Sequence, residues 1–283
     1  MLCVFDCESV PDIWLLNEIY GYRDEIDSEI KANGGNDINI DIEVCERAFQ
    51  AQEALNGSSF LPLTFHKIIS ISALICDDFG NFIKIGNYAQ SVESRGEREI
   101  LSEFINYLNK NNPKLVSFNG RAFDLPLIML RAMKYNISAE SYFESDNPKF
   151  NKNKWDNYRS RYSENFHIDL LESLGSFGMA RNTRLDVVAK MLGFPGKFDT
   201  KGDEVYKIFY EEKNLSKIDS YCQSDVLNTY LVFLKYQILQ GKINTSDYIS
   251  LLEVFLDKIP KNKDYSEVFT TAIKDELQKL KNS

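Results

Sequence analysis

The amino-acid sequence predicts an α/β domain with a mixed central sheet flanked by helices, followed by a helical extension at the C-terminus. Short apolar runs alternate with longer stretches in which apolar residues recur at helical spacing. A tight turn at 77–81 joins two predicted strands, which must then be antiparallel. The end of the chain, from 244 onwards, contains two amphipathic helical patterns and no strand pattern.

The individual elements follow from this alternation. Pro126 suits the first turn of a helix at 124–134, because the first-turn N–H that proline lacks has no partner within the helix. Ser216 and Asp219 form a candidate capping box for the longest helix. Strands are predicted at 2–5, 65–76, 82–89, 115–118 and 166–169, and helices at 97–110, 124–134, 170–176, 185–192 and 217–239.

The chain is predicted to form one domain over 1–243, on which residues 244–283 pack as a helical extension. About 12–60 is interpreted as an acidic insertion with two helices, at 14–20 and 44–55, around a Gly-Gly-Asn-Asp loop. We interpret this insertion as a solvated surface segment. The alternative is a lid over a functional site.

The composition is that of an ordinary soluble globular protein, with 43% hydrophobic and 27% charged residues among 283. No apolar run reaches the roughly 18 residues of a membrane span, and no basic leader with a cleavage site begins the chain. We therefore expect a cytoplasmic protein with no membrane partner. The five cysteines are scattered and include no Cys-x-x-Cys pair, which argues against a disulfide framework and a zinc site.

The net charge of −9 discourages a nucleic-acid partner, but the charge is unevenly distributed. Residues 18–53 contain ten acids and three bases, whereas residues 149–201 contain ten bases and six acids. Local fields matter more than net charge for a charged ligand. Within 149–161, five bases alternate with three aromatic residues, which suits either single-stranded nucleic acid or a charged loop anchored by Trp155.

An Asp-x-Glu triplet, Asp6 and Glu8, follows the first apolar run. At i and i+2 on an extended strand, the two side chains point to the same face. Two like charges held together at the end of a buried strand are costly unless a cation lies between them. The triplet therefore suggests a divalent metal site. The alternative is a solvated turn before Pro11.

Two further acidic motifs occur later in the chain. Asn119, Phe123 and Asp124 form an Asn-x-x-x-Phe-Asp motif between a strand and a helix. There Asp124 is either a site residue or the N-cap of the helix. Tyr221 and Asp225 lie four apart on the longest predicted helix and therefore share one face. The alternative for this pair is a surface contact.

In this order, the three motifs resemble those of the DEDD superfamily of 3′–5′ exonucleases, in the subtype with tyrosine in the third motif. Within it, the sequence resembles the predicted exonuclease family related to the proofreading domain of family-B DNA polymerases, over most of 1–243. The sister subtype has a histidine in the third motif, five residues before the aspartate. Neither His66 nor His167 stands in that relation to Asp225, so Tyr221 is the candidate for this position of the motif. The resemblance implies a ribonuclease-H-like fold with about five strands.

The four carboxylates would meet at one edge of that sheet and bind two divalent ions, Mg²⁺ or Mn²⁺. Two such ions about 3.5–4 Å apart can activate water and stabilise both the phosphoryl and the leaving oxygens. Carboxylates are the ligands that such hard cations prefer. Asp6 would bridge the ions, Glu8 and Asp225 would complete the water-activating site, and Asp124 would hold the second ion. Tyr221 would orient the water, because a phenol with a pKa near 10 is a poor base.

The resemblance also implies substrate contacts. Asn119 and Phe123 would contact the terminal nucleotide, Phe123 by stacking. Several basic residues are candidate phosphate contacts, and for each the alternative is a solubilising surface charge. These residues are Arg121, Arg181, Arg184, Lys197 and Lys201.

The sequence thus predicts a metal-dependent 3′–5′ exonuclease that hydrolyses phosphodiester bonds at the 3′ end of single-stranded DNA. DNA is favoured because the resemblance is to proofreading domains. The chain would carry out a proofreading or repair role either alone or together with a replication or repair protein. One alternative is an RNA 3′-end processing exonuclease. The others are an inactive nucleic-acid-binding module of the same fold and a structural acidic protein. The intact set of carboxylates and tyrosine argues against the inactive module.

Overall fold

The fold is described from a computed structural model that covers residues 1–32, 38–92, 95–179, 183–197 and 202–282. Five strands form one mixed sheet in the order β3-β2-β1-β4-β5, so β1 is central. β2 is antiparallel to β1 and β3, whereas β4 is parallel to β1 and β5. The predicted fold class is confirmed. The strands are β1 (Leu2–Pro11), β2 (His66–Cys76), β3 (Phe82–Asn87), β4 (Lys114–Ser117) and β5 (His167–Asp169).

Helices flank both faces of this sheet. They are α1 (Ile13–Tyr20), α2 (Tyr22–Ala32), α3 (Ile40–Asn56), α4 (Glu97–Asn111), α5 (Asp124–Lys134), α6 (Glu140–Phe143), α7 (Leu170–Leu174), α8 (Leu185–Met191), α9 (Val205–Lys207), α10 (Leu215–Leu239), α11 (Thr245–Lys258) and α12 (Ser266–Lys281). A π-helical turn, Ile208–Glu212, leads from α9 towards α10. No helix in the described ranges is long and apolar enough to cross a membrane.

Side chains of β1 alternate between two apolar cores. Val4 packs with residues of α10, whereas Cys3 and Phe5 pack with residues of α4 and α5. The strand is longer than predicted and continues through the acidic triplet to Pro11, because β2 pairs with it along its whole length. The alternative of a solvated turn at Asp6 and Glu8 is therefore wrong.

Two details of α10 and the insertion differ from the predictions. Asn214 caps α10 by accepting the Lys217 backbone N–H, so the Ser216–Asp219 capping box is wrong. The Asp219 carboxylate instead pairs with the Arg95 guanidinium. The insertion contains α2 besides the two predicted helices. The sequence signal of α2 is weak because Ile26 is its only buried residue.

The insertion is also packed rather than merely solvated. Ile13 and Leu16 of α1, Ile26 of α2 and Val44 of α3 share a buried core that also contains Tyr221 of α10. This third core joins the insertion to the helix that carries one of the predicted motifs. The Gly-Gly-Asn-Asp loop lies outside the described residues.

The two C-terminal helices occur as predicted and pack on the sheet. The Phe255 ring of α11 lies 5.5 Å from the Phe82 ring and 5.7 Å from the Tyr230 ring, between centroids. Phe255 is fully buried. From α12, Phe269 and Leu277 enter the same core. The helices therefore complete one side of the core, and the domain boundary at 243 stays a prediction.

The Phe255→Ala substitution is expected to lower the free energy of unfolding by about 3–5 kcal/mol, because it leaves a cavity among rings that α11 shares with the sheet. Urea denaturation measures this loss. Leu239→Ala is the control, since Leu239 is exposed at the end of α10, and we expect a change within about 0.5 kcal/mol. Equal losses in the two variants would contradict the role of α11 in the core.

Candidate metal and nucleic-acid site

The acidic triplet lies on the part of β1 that has lost its partner on one side. Pairing with β4 ends at Val4, whereas pairing with β2 continues past Glu8. The backbone that β4 leaves unpaired bonds to α5 instead: the Cys7 N–H donates to the Asp124 carboxylate over 3.0 Å. Phe123 holds the N-cap position of α5. The interpretation of Asp124 as an N-cap is therefore wrong, and its carboxylate faces β1.

The loop before α5 is held by a carboxylate that the sequence analysis did not single out. Asp169, at the end of β5, accepts the backbone N–H groups of Asn119 over 2.9 Å and Arg121 over 2.8 Å. At Gly120 an added Cβ would lie 2.5 Å from the Ser117 hydroxyl oxygen, so this close approach requires glycine. These contacts set the position of Phe123 and Asp124. The local signal at Asp169 is that of a helix N-cap, since its carboxylate also accepts the Leu171 and Glu172 backbone N–H groups of α7. Its contacts with Asn119 and Arg121, which lie 50 and 48 residues away, have no local signal.

Helix α10 supplies the third motif from across the sheet. Tyr221 and Asp225 lie one turn apart, and a hydrogen bond joins the Tyr221 hydroxyl to the Asp225 carboxylate. Cys222 was also missed by the sequence analysis. Its thiol donates to the Asp6 carbonyl over 3.4 Å, and the ligand atoms of Asp6, Glu8 and Cys222 all lie within 4.8 Å of one another. The structure thus brings the three predicted motifs together.

The four predicted carboxylates influence one another electrostatically. Burial and then repulsion by the other three raise the pKa of Asp6 well above its usual range. Burial and repulsion by Asp225 and Asp124 do the same to the pKa of Glu8. Burial raises the pKa of Asp124 to about 6, against the opposing hydrogen bonds from Cys7. Burial raises the pKa of Asp225 to about 7, against the opposing charge of Lys197 and the Tyr221 hydrogen bond.

These residues fit a divalent cation. The Glu8 side chain is only 9% exposed, and no described residue donates a hydrogen bond to its carboxylate. Clustered carboxylates that are poorly solvated repel one another until a cation or protons neutralise them. Oxygen ligands of this kind suit Mg²⁺ or Mn²⁺. Asp6, Glu8, Asp124 and Asp225 are the residues that would hold such ions.

Tyr221 remains protonated at neutral pH in this environment. Burial raises its pKa, and the negative charges of Glu8, Asp225 and Asp6 raise it further. Its hydroxyl and the Lys197 ammonium both approach Gly202, where an added Cβ would be 3.6 Å from the hydroxyl oxygen and 3.7 Å from the ammonium nitrogen. A phenol in this state can position a ligand by hydrogen bonding and cannot remove a proton from it.

Two of the arginines predicted to contact phosphate are paired with carboxylates of the protein. The Arg121 guanidinium, whose side chain is 13% exposed, pairs with Glu172 and donates to the carbonyls of Tyr158 and His167. These contacts anchor the loop and leave little of the guanidinium for phosphate. Arg184 pairs with its neighbour Asp186. Arg181 and Lys201 lie outside the described residues.

The basic and aromatic segment at 149–161 is largely a structural loop. The Lys152 ammonium is buried and donates to the Ser141 carbonyl over 2.7 Å. The Tyr158 hydroxyl donates to the Pro113 carbonyl over 2.6 Å. Trp155 was expected to anchor this loop, but it is 75% exposed. Lys152 and Tyr158 anchor the loop instead, because their polar ends reach backbone carbonyls inside the fold.

With the site defined, the chain can be compared with known proteins. Residues 58–273, well over half of the chain, match the family described as predicted 3′–5′ exonucleases related to the exonuclease domain of PolB. The chain belongs to this family. The matched residues include Asp124, Tyr221 and Asp225 and begin after Asp6 and Glu8.

Two DNA polymerases are also similar to the chain. The polymerase of Archaeoglobus fulgidus is 24% identical over 152 residues, which are 53% of this chain and 19% of the polymerase. The polymerase of Thermococcus aggregans is 23% identical over 136 residues, 47% of this chain and 7% of the polymerase. The chain therefore spans less than a fifth of the length of these polymerases.

Family membership confirms the predicted resemblance and the class of enzyme. A 3′–5′ exonuclease is a hydrolase that acts on phosphodiester bonds, so nucleic acid is its substrate class. Exonuclease domains of this kind use divalent metal ions, and an acidic cluster that could hold one lies on β1. The role of each site residue stays a prediction.

The metal-free protein is expected to lose stability as pH rises. The pKa of Asp225 is about 7 in the folded protein and about 4 in an unfolded chain, so between these values only the folded state holds the proton. The free energy of unfolding therefore falls from about pH 4 to about pH 7. Since Mn²⁺ binds deprotonated carboxylates, the rise in Tm that it causes should be larger near pH 8 than near pH 5.5.

Thermal unfolding with chelator or with Mn²⁺ measures this effect. Asp225→Asn removes one of the repelling charges, so the variant should have a higher Tm than the unchanged protein near pH 8 without metal, and a smaller rise with Mn²⁺. Asp257→Asn, at an exposed position of α11, should leave both quantities unchanged. A metal-free Tm that does not fall over this pH window would contradict the repulsion argument.

Proposed function

We propose that this chain is a divalent-metal-dependent 3′–5′ exonuclease that acts on the 3′ end of single-stranded DNA. The observation that carries the proposal is the set of four buried carboxylates: burial raises the pKa values of Asp6, Glu8, Asp124 and Asp225, and repulsion by the others raises those of Asp6 and Glu8 further. The ligand atoms of Asp6 and Glu8 lie within 4.8 Å of each other. Family membership supports the reaction, and the carboxylate set supports its dependence on metal.

Each of the four carboxylates is proposed to have its own role in metal binding. The charges of all three other carboxylates act on Asp6, which supports a bridging role for it. Among the charges that act on Glu8, the charge of Asp225 is the strongest, and these two residues are proposed to form the water-activating site. Asp124, held by the Cys7 N–H, is proposed to serve the second ion. Two divalent ions, when bound, would lower the pKa of the attacking water and neutralise charge on the phosphoryl oxygens.

Tyr221 and Lys197 are proposed to act on the water and on phosphate. The protonated Tyr221 hydroxyl can donate to or accept from a water, so its role is to orient the nucleophile rather than to deprotonate it. The Lys197 ammonium, which approaches the same glycine, Gly202, can neutralise a phosphate oxygen. Asn119 and Phe123, on the loop that Asp169 holds, are proposed to contact the terminal nucleotide.

Single-stranded DNA is the proposed substrate because of the relatives. Both similar proteins bear the name DNA polymerase, and the family is described as related to the exonuclease domain of PolB. RNA differs from this substrate by the 2′-hydroxyl. Rates measured on matched DNA and RNA oligonucleotides therefore decide which nucleic acid is the substrate. A proofreading or repair role requires activity on DNA.

The proposed activity predicts a ladder of products shortened from the 3′ end when a 5′-labelled single-stranded oligonucleotide is incubated with Mn²⁺ or Mg²⁺. Asp6→Ala and Asp225→Ala should each lower the rate by more than about 100-fold, because a lost ligand is expected to cost more than a lost outer-shell partner. Tyr221→Phe should lower kcat by about 10- to 100-fold through misplacement of the water. Gel analysis of a time course measures all three.

Asp257→Ala is the matched control and should keep the full rate, since this exposed aspartate lies on α11, away from the four carboxylates. Chelator should abolish the ladder. If the unchanged protein cuts neither DNA nor RNA, the proposed function is wrong. A full rate in Asp6→Ala would contradict the bridging role of Asp6.

A further inference from the structure

A tight turn holds an exposed tryptophan at the surface of the protein. The backbones of Asn153 and Asp156 bond to each other, N–H to carbonyl in both directions, over 3.0 and 3.1 Å. The Asn153 side chain also accepts the Trp155 backbone N–H over 2.9 Å. On either side of this turn, Lys152 and Tyr158 reach backbone carbonyls inside the fold. An ordered turn therefore keeps Trp155 75% exposed, and its ring belongs to none of the three apolar cores of the described residues.

Three exposed aromatic rings in this part of the molecule each have a basic side chain over them. The basic groups lie between 4.7 and 5.9 Å from the ring centroids. The aromatic residues are between 51% and 75% exposed, so much of each ring is open to solvent. We call these pairs the aromatic–basic surface: Trp155 with Lys154, Phe143 with Arg159, and Tyr162 with Arg161.

The charges of the aromatic–basic surface favour an anionic ligand. Lys154 and Arg159 contact two of the rings and form no ion pair with any residue in the described ranges. Asp156 is the only acid within 149–161, and its carboxylate accepts the Ser163 hydroxyl over 2.5 Å. This bond also joins the tryptophan and tyrosine ends of the surface, because the two bonded residues directly follow those rings in the sequence. Unpaired cations between open aromatic faces suit phosphates and bases.

The aromatic–basic surface is joined to the loop before α5, which carries part of the candidate site. Arg121 of that loop donates to the Tyr158 carbonyl over 3.2 Å. The Glu172 carboxylate pairs with Arg121 and with Arg161, and so connects the loop to the surface a second time. The surface is therefore adjacent to the site, although it includes none of the residues proposed to bind metal, water or the terminal nucleotide.

We propose that the aromatic–basic surface binds the part of a single strand that lies 5′ of the nucleotides at the carboxylates. The proposal rests on the proposed exonuclease function and identifies a second contact region for the same substrate. Bases of any sequence would stack on Trp155, because every base has a π-face. Lys154 and Arg159 would contact phosphates. Only a strand long enough to reach the surface gains this affinity, so binding should depend on strand length.

The test compares two 5′-labelled single-stranded DNAs with the same 3′-terminal sequence, one of about 4 and one of about 16 nucleotides. Fluorescence anisotropy in Ca²⁺ measures their binding, and recovery of the intact strand after each titration separates binding from cleavage. Trp155→Ala should weaken binding of the longer strand by about tenfold, the effect expected for one lost stacked base. It should leave the affinity for the shorter strand unchanged. Trp155→Tyr should keep most of the affinity for the longer strand.

A second substitution tests the phosphate contacts. Lys154→Gln should lower the slope of log affinity against log salt concentration by about 0.7 for the longer strand, because one contact to a single strand fewer releases one counterion fewer. The slope for the shorter strand should stay the same. An unchanged slope for the longer strand would contradict the contact between Lys154 and phosphate.

Trp14→Ala is the matched control. Trp14 is the other tryptophan of the chain, is 61% exposed, and also has a lysine, Lys134, 5.2 Å from its ring centroid. Its substitution should leave both affinities unchanged. If Trp155→Ala weakens both strands equally or neither of them, the surface proposal is overturned and the exonuclease proposal stays intact. A loss confined to the longer strand, in a protein that cuts neither DNA nor RNA, would support the surface and overturn the exonuclease proposal instead.

Discussion

Repulsion among four carboxylates over the central strand is the constraint on which the rest of the site depends. Burial removes water that would otherwise screen them, so their pKa values rise. The fold opposes this with the charge of Lys197, which acts on Glu8 and Asp225, and with neutral donors, namely the Cys7 backbone N–H on Asp124 and the Tyr221 hydroxyl on Asp225. Neutral donors orient the oxygens without cancelling their charge. The remaining repulsion would favour the binding of a divalent cation at this site.

A buried polar network lies beside the carboxylates, on the same face of the sheet. Ser72 and Ser70 of β2 lie opposite Asp6 and Glu8, and both serine hydroxyls accept hydrogen bonds from the Asn87 amide of β3. The side-chain amide of Gln223, on α10, donates to the side-chain oxygen of Asn87. The side-chain oxygen of Gln223 accepts a hydrogen bond from the Tyr265 hydroxyl over 2.5 Å. The C-terminal helices therefore reach β2 and β3 beside the carboxylates through a chain of satisfied hydrogen bonds, besides covering the apolar core.

The insertion and α10 depend on each other in a similar way. Ile26 and Val44 of the insertion share a core with Ile218 and Tyr221 of α10. The Arg95 guanidinium forms a two-nitrogen pair with Asp219, one half-turn before Tyr221. Tyr221 is thus held by apolar packing on one side and by its hydrogen bond to Asp225 on the other. The position of its hydroxyl is a property of several elements rather than of α10 alone.

Local periodicity was enough to predict much of the fold and the three motifs. Alternation on a strand puts Asp6 and Glu8 on one face, and helical spacing does the same for Tyr221 and Asp225, because both rules act over a few residues. The boundaries of α5, Asp124–Lys134, also follow from local signals. Helix α2 was missed because a helix with one buried residue has almost no apolar pattern.

Only the tertiary structure decided which side chains serve the site and which serve the loops around it. Asp169 and Arg121 carry charges of the kind that binds metal or phosphate, yet both are engaged by groups distant in sequence. Trp155 is likewise left exposed because Lys152 and Tyr158 anchor the loop in its place. The sequence by itself determined the chemical types and the local spacing of the carboxylates. Their environment depended on long-range packing, which no short-range pattern encodes.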